Sequence, residues 1–260
     1  MIGFTENGDP SFDNSWTTKI SSTDGIVVVT KNLTKNLMND LLNNKDHVIL
    51  HCCCTGWGTS VIEPNAPHYT KQLDNLKALI GLGFPRNRVV LRIDPIIPTS
   101  NGLCAVRYVL DYAIKIGIIL ATNNDIRIRI SVMDEYKHVK ARLASLGYGS
   151  FYDGRFYAPT YMLNSVVKLC SEYHDKYGLV FETCAETLLS SMNKNVFKCT
   201  GCLSKTDLDI LGVPVTTDRE NNQHRSGCHC LADKTEVLSN NPNGDKHRCP
   251  MQCMYCYWKD

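Results

Sequence analysis

Thirteen of the 260 residues are cysteines, and three of them stand together near the chain end in RCPMQCMYCYW, residues 248–258. Cys249, Cys253 and Cys256 follow a C-x3-C-x2-C spacing. Soft thiolates this close in sequence select iron–sulfur clusters or zinc. Three of them hold three irons of a four-iron cubane and leave the fourth iron open to a ligand from outside the chain. Part of a zinc site is the plainer alternative for the same residues. A disulfide framework fits poorly. The cysteine number is odd, and the opening MIGFTENGDPSF lacks the basic start and long apolar run of an export signal.

A second group lies upstream: Cys184, Cys199, Cys202, Cys228 and Cys230. Four of these five can complete a fully ligated cluster, or a zinc site of four thiolates. The run His51-Cys52-Cys53-Cys54 reads differently. It falls on a predicted strand, where neighbours point to opposite faces, so packing is favoured over ligation. Cys104 and Cys170 sit in helical patterns and read as core. His47 and His51 form H-x3-H without the glutamate of a zinc hydrolase, and on a strand they stand roughly 13 Å apart. No Walker loop, G-x-S-x-G or G-x-G-x-x-G occurs, so nucleotide hydrolysis and serine acyl transfer have no support.

These residues need a scaffold, and the first two thirds of the chain supply its pattern. Apolar runs at 26–30 (IVVVT), 47–53 (HVILHCC), 88–93 (RVVLRI), 125–131 (DIRIRIS) and 179–183 (LVFET) read as strands, with a weaker one at 2–5. Helical spacing appears at 37–43, 69–83, 105–116, 135–146 and 161–177, and 147–158 reads as a loop. Strands alternating with helices imply an α/β fold with parallel pairing and right-handed crossovers. Such units over 1–184 imply a partial parallel (β/α) barrel or an open doubly wound sheet, and composition does not choose between them. A cysteine-rich segment over 185–260, too polar to bury a core alone, would fold around a metal centre.

In such folds function gathers at the C-terminal ends of strands. Thr30, Lys31 and Asn32 follow one strand, Arg92 and Asp94 close another, and Glu182 and Glu186 flank the end of LVFET. Arg127 and Arg129 share one face of DIRIRIS, where a guanidinium can meet a carboxylate or phosphate. A structural ion pair, Arg92 with Asp94 for example, is the plain alternative. Trp57 and Glu63 lie in a loop after a strand, within reach of a substrate.

The chain is 43% hydrophobic, with 28 Lys+Arg against 26 Asp+Glu and a formal net charge of +2. Such a balance gives no support for binding an extended nucleic acid. No stretch approaches the ~18 apolar residues of a membrane span, so a cytoplasmic protein with no membrane partner is expected.

The spacing of Cys249, Cys253 and Cys256, with Tyr255 just before the third cysteine, resembles the signature of radical S-adenosylmethionine (SAM) enzymes. Five further segments appear in order: VVVTKNLTKNL (27–37), IEPNAP (62–67), RIDPIIP (92–98), FETCAE (181–186) and NQHRSGCHC (222–230). Together they resemble a family of small radical-SAM-like proteins with the cluster motif at the C-terminal end, distantly similar to spore photoproduct lyase. The chain departs from that family in its opening, GFTENGDPSF. The resemblance implies a permuted barrel, with the cluster loop returning to the barrel mouth and residues 5–9 in the role of the loop that meets the SAM amine. It implies a 4Fe-4S cluster on Cys249, Cys253 and Cys256, with SAM on the open iron and Tyr255 near the adenine. Thr30, Lys31, Asn32, Arg92, Asp94, Arg127, Arg129 and Glu182 are the further candidate cofactor contacts. It favours Cys184, Cys202, Cys228 and Cys230 as ligands of a second 4Fe-4S cluster, with Cys199 as substitute. The implied reaction is reductive cleavage of SAM to a 5′-deoxyadenosyl radical that abstracts hydrogen from a small-molecule or nucleotide substrate, for instance a modified nucleobase. The implied electron donor is of the flavodoxin or ferredoxin kind. The rival reading is a zinc-stabilised binding module without catalysis.

Overall fold

The computed structural model describes residues 1–121, 125–184, 186–215 and 229–259. In chain order the elements are β1 (Ile2–Phe4), β2 (Ile26–Thr30), α1 (Lys35–Asn43), β3 (Val48–Cys53), α2 (Tyr69–Gly81), β4 (Val89–Ile96), α3 (Ser100–Lys115) and β5 (Arg127–Val132). There follow α4 (Lys137–Ser145), α5 (Thr160–Tyr177), β6 (Phe181–Thr183), α6 (Thr187–Met192), β7 (Phe197–Cys199), α7 (Lys205–Leu211) and β8 (Lys234–Glu236). The eight strands form one sheet in the order β7-β6-β5-β4-β3-β2-β1-β8, and every pairing is parallel. The sheet is open, since β7 and β8 are its edges. The weak 2–5 strand is present as β1. Two strands, β7 and β8, and helices α6 and α7 come from the segment after Cys184, so that segment completes the sheet at both edges.

The alternation of side chains along parallel strands divides the sheet into two faces. Val28, Leu50, Cys52, Leu91, Ile93, Ile128 and Ile130 face the helical layer and pack with Leu37, Leu73, Leu76, Val106, Leu110, Val166 and Leu169. Each such side chain, fully buried, contributes about 1.5–3 kcal/mol. The other face is apolar only at its base, where Ile2, Phe4, Val27, Ile49 and Val90 meet Leu203 and Leu208. Higher up, the register lines up Cys53, Arg92, Arg129 and Glu182 in one row across β3 to β6.

Local chemistry sets the element ends. Thr34 caps α1 by accepting from the Leu37 amide at 3.3 Å. Gly178, at φ 69°, closes α5. Helix α3 begins earlier than its apolar spacing predicts. Thr99 accepts from the Gly102 amide at 3.2 Å, and a Cβ on residue 102 would lie 1.8 Å from the Ile97 carbonyl oxygen. The glycine that weakens the helical pattern is the one that lets the helix start against β4. Helix α7 was hidden in a polar segment. Its start is a capping box, Ser204 with Asp207, three residues apart. Among the described residues no helix is long and apolar enough to cross a membrane.

Candidate functional site at the strand C-termini

A cavity of about 410 Å³ opens over the C-terminal ends of the strands. Its walls come from the 5–9 loop after β1, from Thr30 and Lys31 after β2, and from Cys53, Arg92, Asp94 and Ser131. Both cysteine groups reach it: Cys249, Cys253 and Cys256 from the chain end, and Cys184 and Cys202 from behind β6 and β7. Tyr136, Tyr255, Tyr257 and Trp258 add aromatic wall.

The chain end folds as two turns, one per cysteine gap. The Gln252 amide meets the Cys249 carbonyl at 3.4 Å, and the Cys256 amide meets the Cys253 carbonyl at 3.2 Å. Gln252 takes a left-handed φ of 52°, and its Nε2 donates to the Cys249 carbonyl at 2.6 Å. Two parts of the fold then hold these turns. The Met254 amide donates to the Ile62 carbonyl at 3.0 Å, and Asn65 Nδ2 to the Pro250 carbonyl at 2.7 Å. From α4, Arg142 donates to the carbonyls of Cys256 and Trp258, each at 2.5 Å. The Tyr255 hydroxyl donates to Glu63 Oε1, which Lys31 Nζ meets at 2.9 Å. Lys31 also stands 5.2 Å from the Tyr255 ring centre. Burial pulls the Lys31 ammonium down, but the charge of Glu63 and the nearby thiols outweigh it and hold it raised. Burial pushes the thiols of Cys249, Cys253 and Cys256 up, and Lys31 partly offsets this at Cys253.

The loop after β1 is held on both sides. Asp9 is buried and accepts from Thr30 Oγ1 at 2.8 Å and from the Lys31 amide at 2.7 Å. From β8, Glu236 Oε2 accepts from the amides of Glu6 and Asn7 at 2.9 and 2.7 Å. Its other oxygen accepts from the amides of Val237 and Leu238. Lys234 pairs with Glu6 at 3.2 Å. The Asn32 amide donates to Thr30 Oγ1 at 2.9 Å, and Asn32 does not line the cavity.

Three members of the second cysteine group converge, Cys184, Cys202 and Cys230. Cys184 and Cys202 sulfurs lie 2.8 Å apart, and Cys230 stands beside Cys202. All three are buried. Gly201 makes the approach possible. At φ +77° its Cβ would fall 2.6 Å from the His229 carbonyl carbon and 2.7 Å from the Cys230 nitrogen. The Cys184 and Cys230 thiols, with Arg92 nearby, hold Cys202 well below the usual thiol range. The bond to Cys202 and burial push Cys184 well up. Cys228 lies outside the described residues, and Cys199 is exposed on edge strand β7. Among the described residues, no three His, Cys, Asp or Glu side chains stand as a ready metal-binding group. The donor chemistry nonetheless fits soft metal centres: buried sulfurs on close turns, with a glycine cradle that brings Cys202 against Cys230.

The arginines divide. Arg92 lines the cavity and pairs with Asp94 at 2.5 Å, the ion pair expected as the plain alternative. Arg127 and Arg129 do not line it. Arg127 meets Asp207 at 2.5 Å, and Arg129 meets Glu182 at 2.5 Å and Asp207 at 3.1 Å. Glu182, committed to Arg129, is likewise away from the cavity wall. Asp207 is held strongly down: burial raises it, and the two arginines more than reverse that. His51 sits between the guanidiniums of Arg92 and Arg129, its ring nitrogens 3.3 and 3.2 Å from them. Burial and both cations keep its imidazole neutral. Sequence reading passed over Asp207, Glu236 and Arg142, and weighed His51 only in the HCCC run and as half of an H-x3-H pair. Only Asp207 carried a local signal, its capping box. Of the HCCC run, Cys52 and Cys54 pack in the helix-side core, whereas Cys53 lines the cavity. Trp57 packs beside Ile62 and Tyr255 and is not in the cavity wall.

The chain matches the DUF1848 family, described as a domain of unknown function, over residues 4–258, and it belongs to that family. No curated protein and no solved structure matches it.

Proposed function

We propose that this member of the DUF1848 family is a radical SAM enzyme, with Cys249, Cys253 and Cys256 as ligands of a 4Fe-4S cluster that leaves one iron for SAM. One observation carries the reading: the three motif thiols, Tyr255 and the 5–9 loop line a single cavity at the strand C-termini. When bound, the cluster and SAM together supply a 5′-deoxyadenosyl radical able to abstract hydrogen from an unreactive C–H bond.

The chain's own contribution is orientation and exclusion of water. Arg142, Ile62 and Asn65 fix the cysteine turns by backbone hydrogen bonds, so the three sulfurs keep one geometry. Lys31 places a cation beside Cys253, which favours thiolate and hence metal binding. Tyr255 is oriented by Glu63 and offers an aromatic face for the adenine of SAM. Glu236 and Asp9 set the path of the 5–9 loop, whose polar backbone is suited to the amine end of SAM.

Cys184, Cys202 and Cys230, with Cys228 as the fourth ligand, hold a second 4Fe-4S cluster in this reading. The substrate is a small molecule or nucleotide that fits beside SAM, and the electron donor is a flavodoxin- or ferredoxin-like protein. Such clusters suit a cytoplasmic setting, where thiols stay reduced. The test is the iron, sulfide and zinc content of anaerobically purified protein, with its visible spectrum before and after SAM. About eight irons and a SAM-responsive spectrum support the reading. Zinc with negligible iron, even after anaerobic reconstitution, overturns it and leaves the zinc-stabilised binding module.

A further inference from the structure

We propose that Arg92 sets the reduction potential of the second centre, an inference that rests on Cys184, Cys202 and their partners holding an iron–sulfur cluster. Among the described residues, Arg92 alone of the three strand arginines on this face reaches a cysteine sulfur. Its Nη2 lies 3.8 Å from Cys202 Sγ. Its other contacts hold it there: Asp94 Oδ2 accepts from Nε at 2.7 Å, and His51 Nδ1 stands 3.3 Å from Nη1. Arg129 fixes the same cysteine by its backbone, donating from Nη1 to the Cys202 carbonyl at 2.6 Å.

The charge pattern makes this position matter. Arg92, Arg127 and Arg129 face Asp94, Glu182 and Asp207, three cations against three anions around a neutral His51. The set is balanced, so the guanidinium nearest the sulfur has no net field of its own sign behind it. Reduction adds one negative charge to a cluster. A buried cation that also donates to a ligand sulfur stabilises that charge and raises the potential. Asp94, on the other side of the same guanidinium, opposes it. Arg92→Gln and Asp94→Asn therefore act in opposite directions. A merely structural ion pair has no such signature.

The experiment uses full-length protein carrying Cys249→Ala, Cys253→Ala and Cys256→Ala, so that only the second centre reports. After anaerobic reconstitution, iron is counted and the midpoint potential is measured by redox titration followed by electron paramagnetic resonance. About four irons are expected. Arg92→Gln is expected to shift the midpoint to more negative values, Arg92→Lys to shift it less, and Asp94→Asn to shift it to more positive values. If the three-alanine protein binds no iron, the second cluster itself is refuted, and this inference with it. If iron binds and the Arg92 and Asp94 variants leave the midpoint unchanged, or shift it the same way, this inference alone is refuted. Should Arg92→Gln fail to fold, Arg92→Lys and Asp94→Asn still decide the matter.

Discussion

The Tyr255 hydroxyl and the Lys31 ammonium converge on one carboxylate oxygen of Glu63, and so tie the chain end to the loop after β3 and the turn after β2. Glu63 is 2% exposed, and these two contacts satisfy its buried Oε1. Glu63→Gln leaves Lys31 charged and nearly buried without its anion, which is expected to cost about 3 kcal/mol. The double variant Lys31→Met, Glu63→Gln removes both charges and should recover part of that loss. Denaturant unfolding of the unaltered protein, Lys31→Met, Glu63→Gln and the double variant measures it. A Glu63→Gln protein as stable as the unaltered one would contradict the tie.

In the proposed reading Cys253→Ala removes a ligand from the motif set and leaves the second set intact. The expected outcome is loss of about half the iron and of any spectral response to SAM. Iron content and the visible spectrum check it. Retention of the full SAM response would remove Cys253 from the ligand set.

Gly201→Ala tests the second centre from the backbone. The added Cβ meets the His229–Cys230 peptide at 2.6–2.7 Å and must also accept φ +77°. It should move Cys230 away from Cys202 and lower iron at the second centre, while the SAM response of the motif set persists. Equal loss of both signals would point to general misfolding.

Two carboxylates give stability opposite pH dependences. Asp207 is held below its ordinary value of 3.8 in the folded chain. Its contribution is therefore complete above about pH 4 and is lost as pH falls below that. Asp207→Asn should destabilise the protein near neutrality and flatten the acid limb. Glu236 is pushed up from 4.5 to about 7, chiefly by burial, against four backbone hydrogen bonds. The folded state then binds a proton more tightly than the unfolded one, so stability falls as pH rises from about 4.5 to 7. Glu236→Gln should remove that slope. Thermal unfolding across pH 3–8 reads both.

Much of the scaffold was legible because its signals are local. IVVVT and DIRIRIS carry strand chemistry in their own composition, and α2 and α5 carry helical spacing. The motif cysteines were legible as a group because two short turns hold them. Segments lacking such signals were missed. Strands β7 and β8 are three residues each, too short for a period to register, and exist because β6 and β1 offer open edges. The placing of Arg129 away from the cavity was invisible for a related reason. Its partner Asp207 lies 78 residues on, and only the fold brings the two to 3.1 Å. Glu236 likewise meets amides near residue 6 across 230 residues.

The pairing of β1 with β8 also sets an order of assembly. During synthesis β2 to β6 can pair as they emerge, since each finds its neighbour within the chain already made. The outer edge of β1 cannot be covered until residues 234–236 exist, and until then it is an open template for wrong partners. The chain-end wall of the cavity, from Cys249 to Trp258, comes later still. In the proposed reading all three motif ligands follow β8 in the chain, so iron insertion would come after β8 has covered the edge of β1.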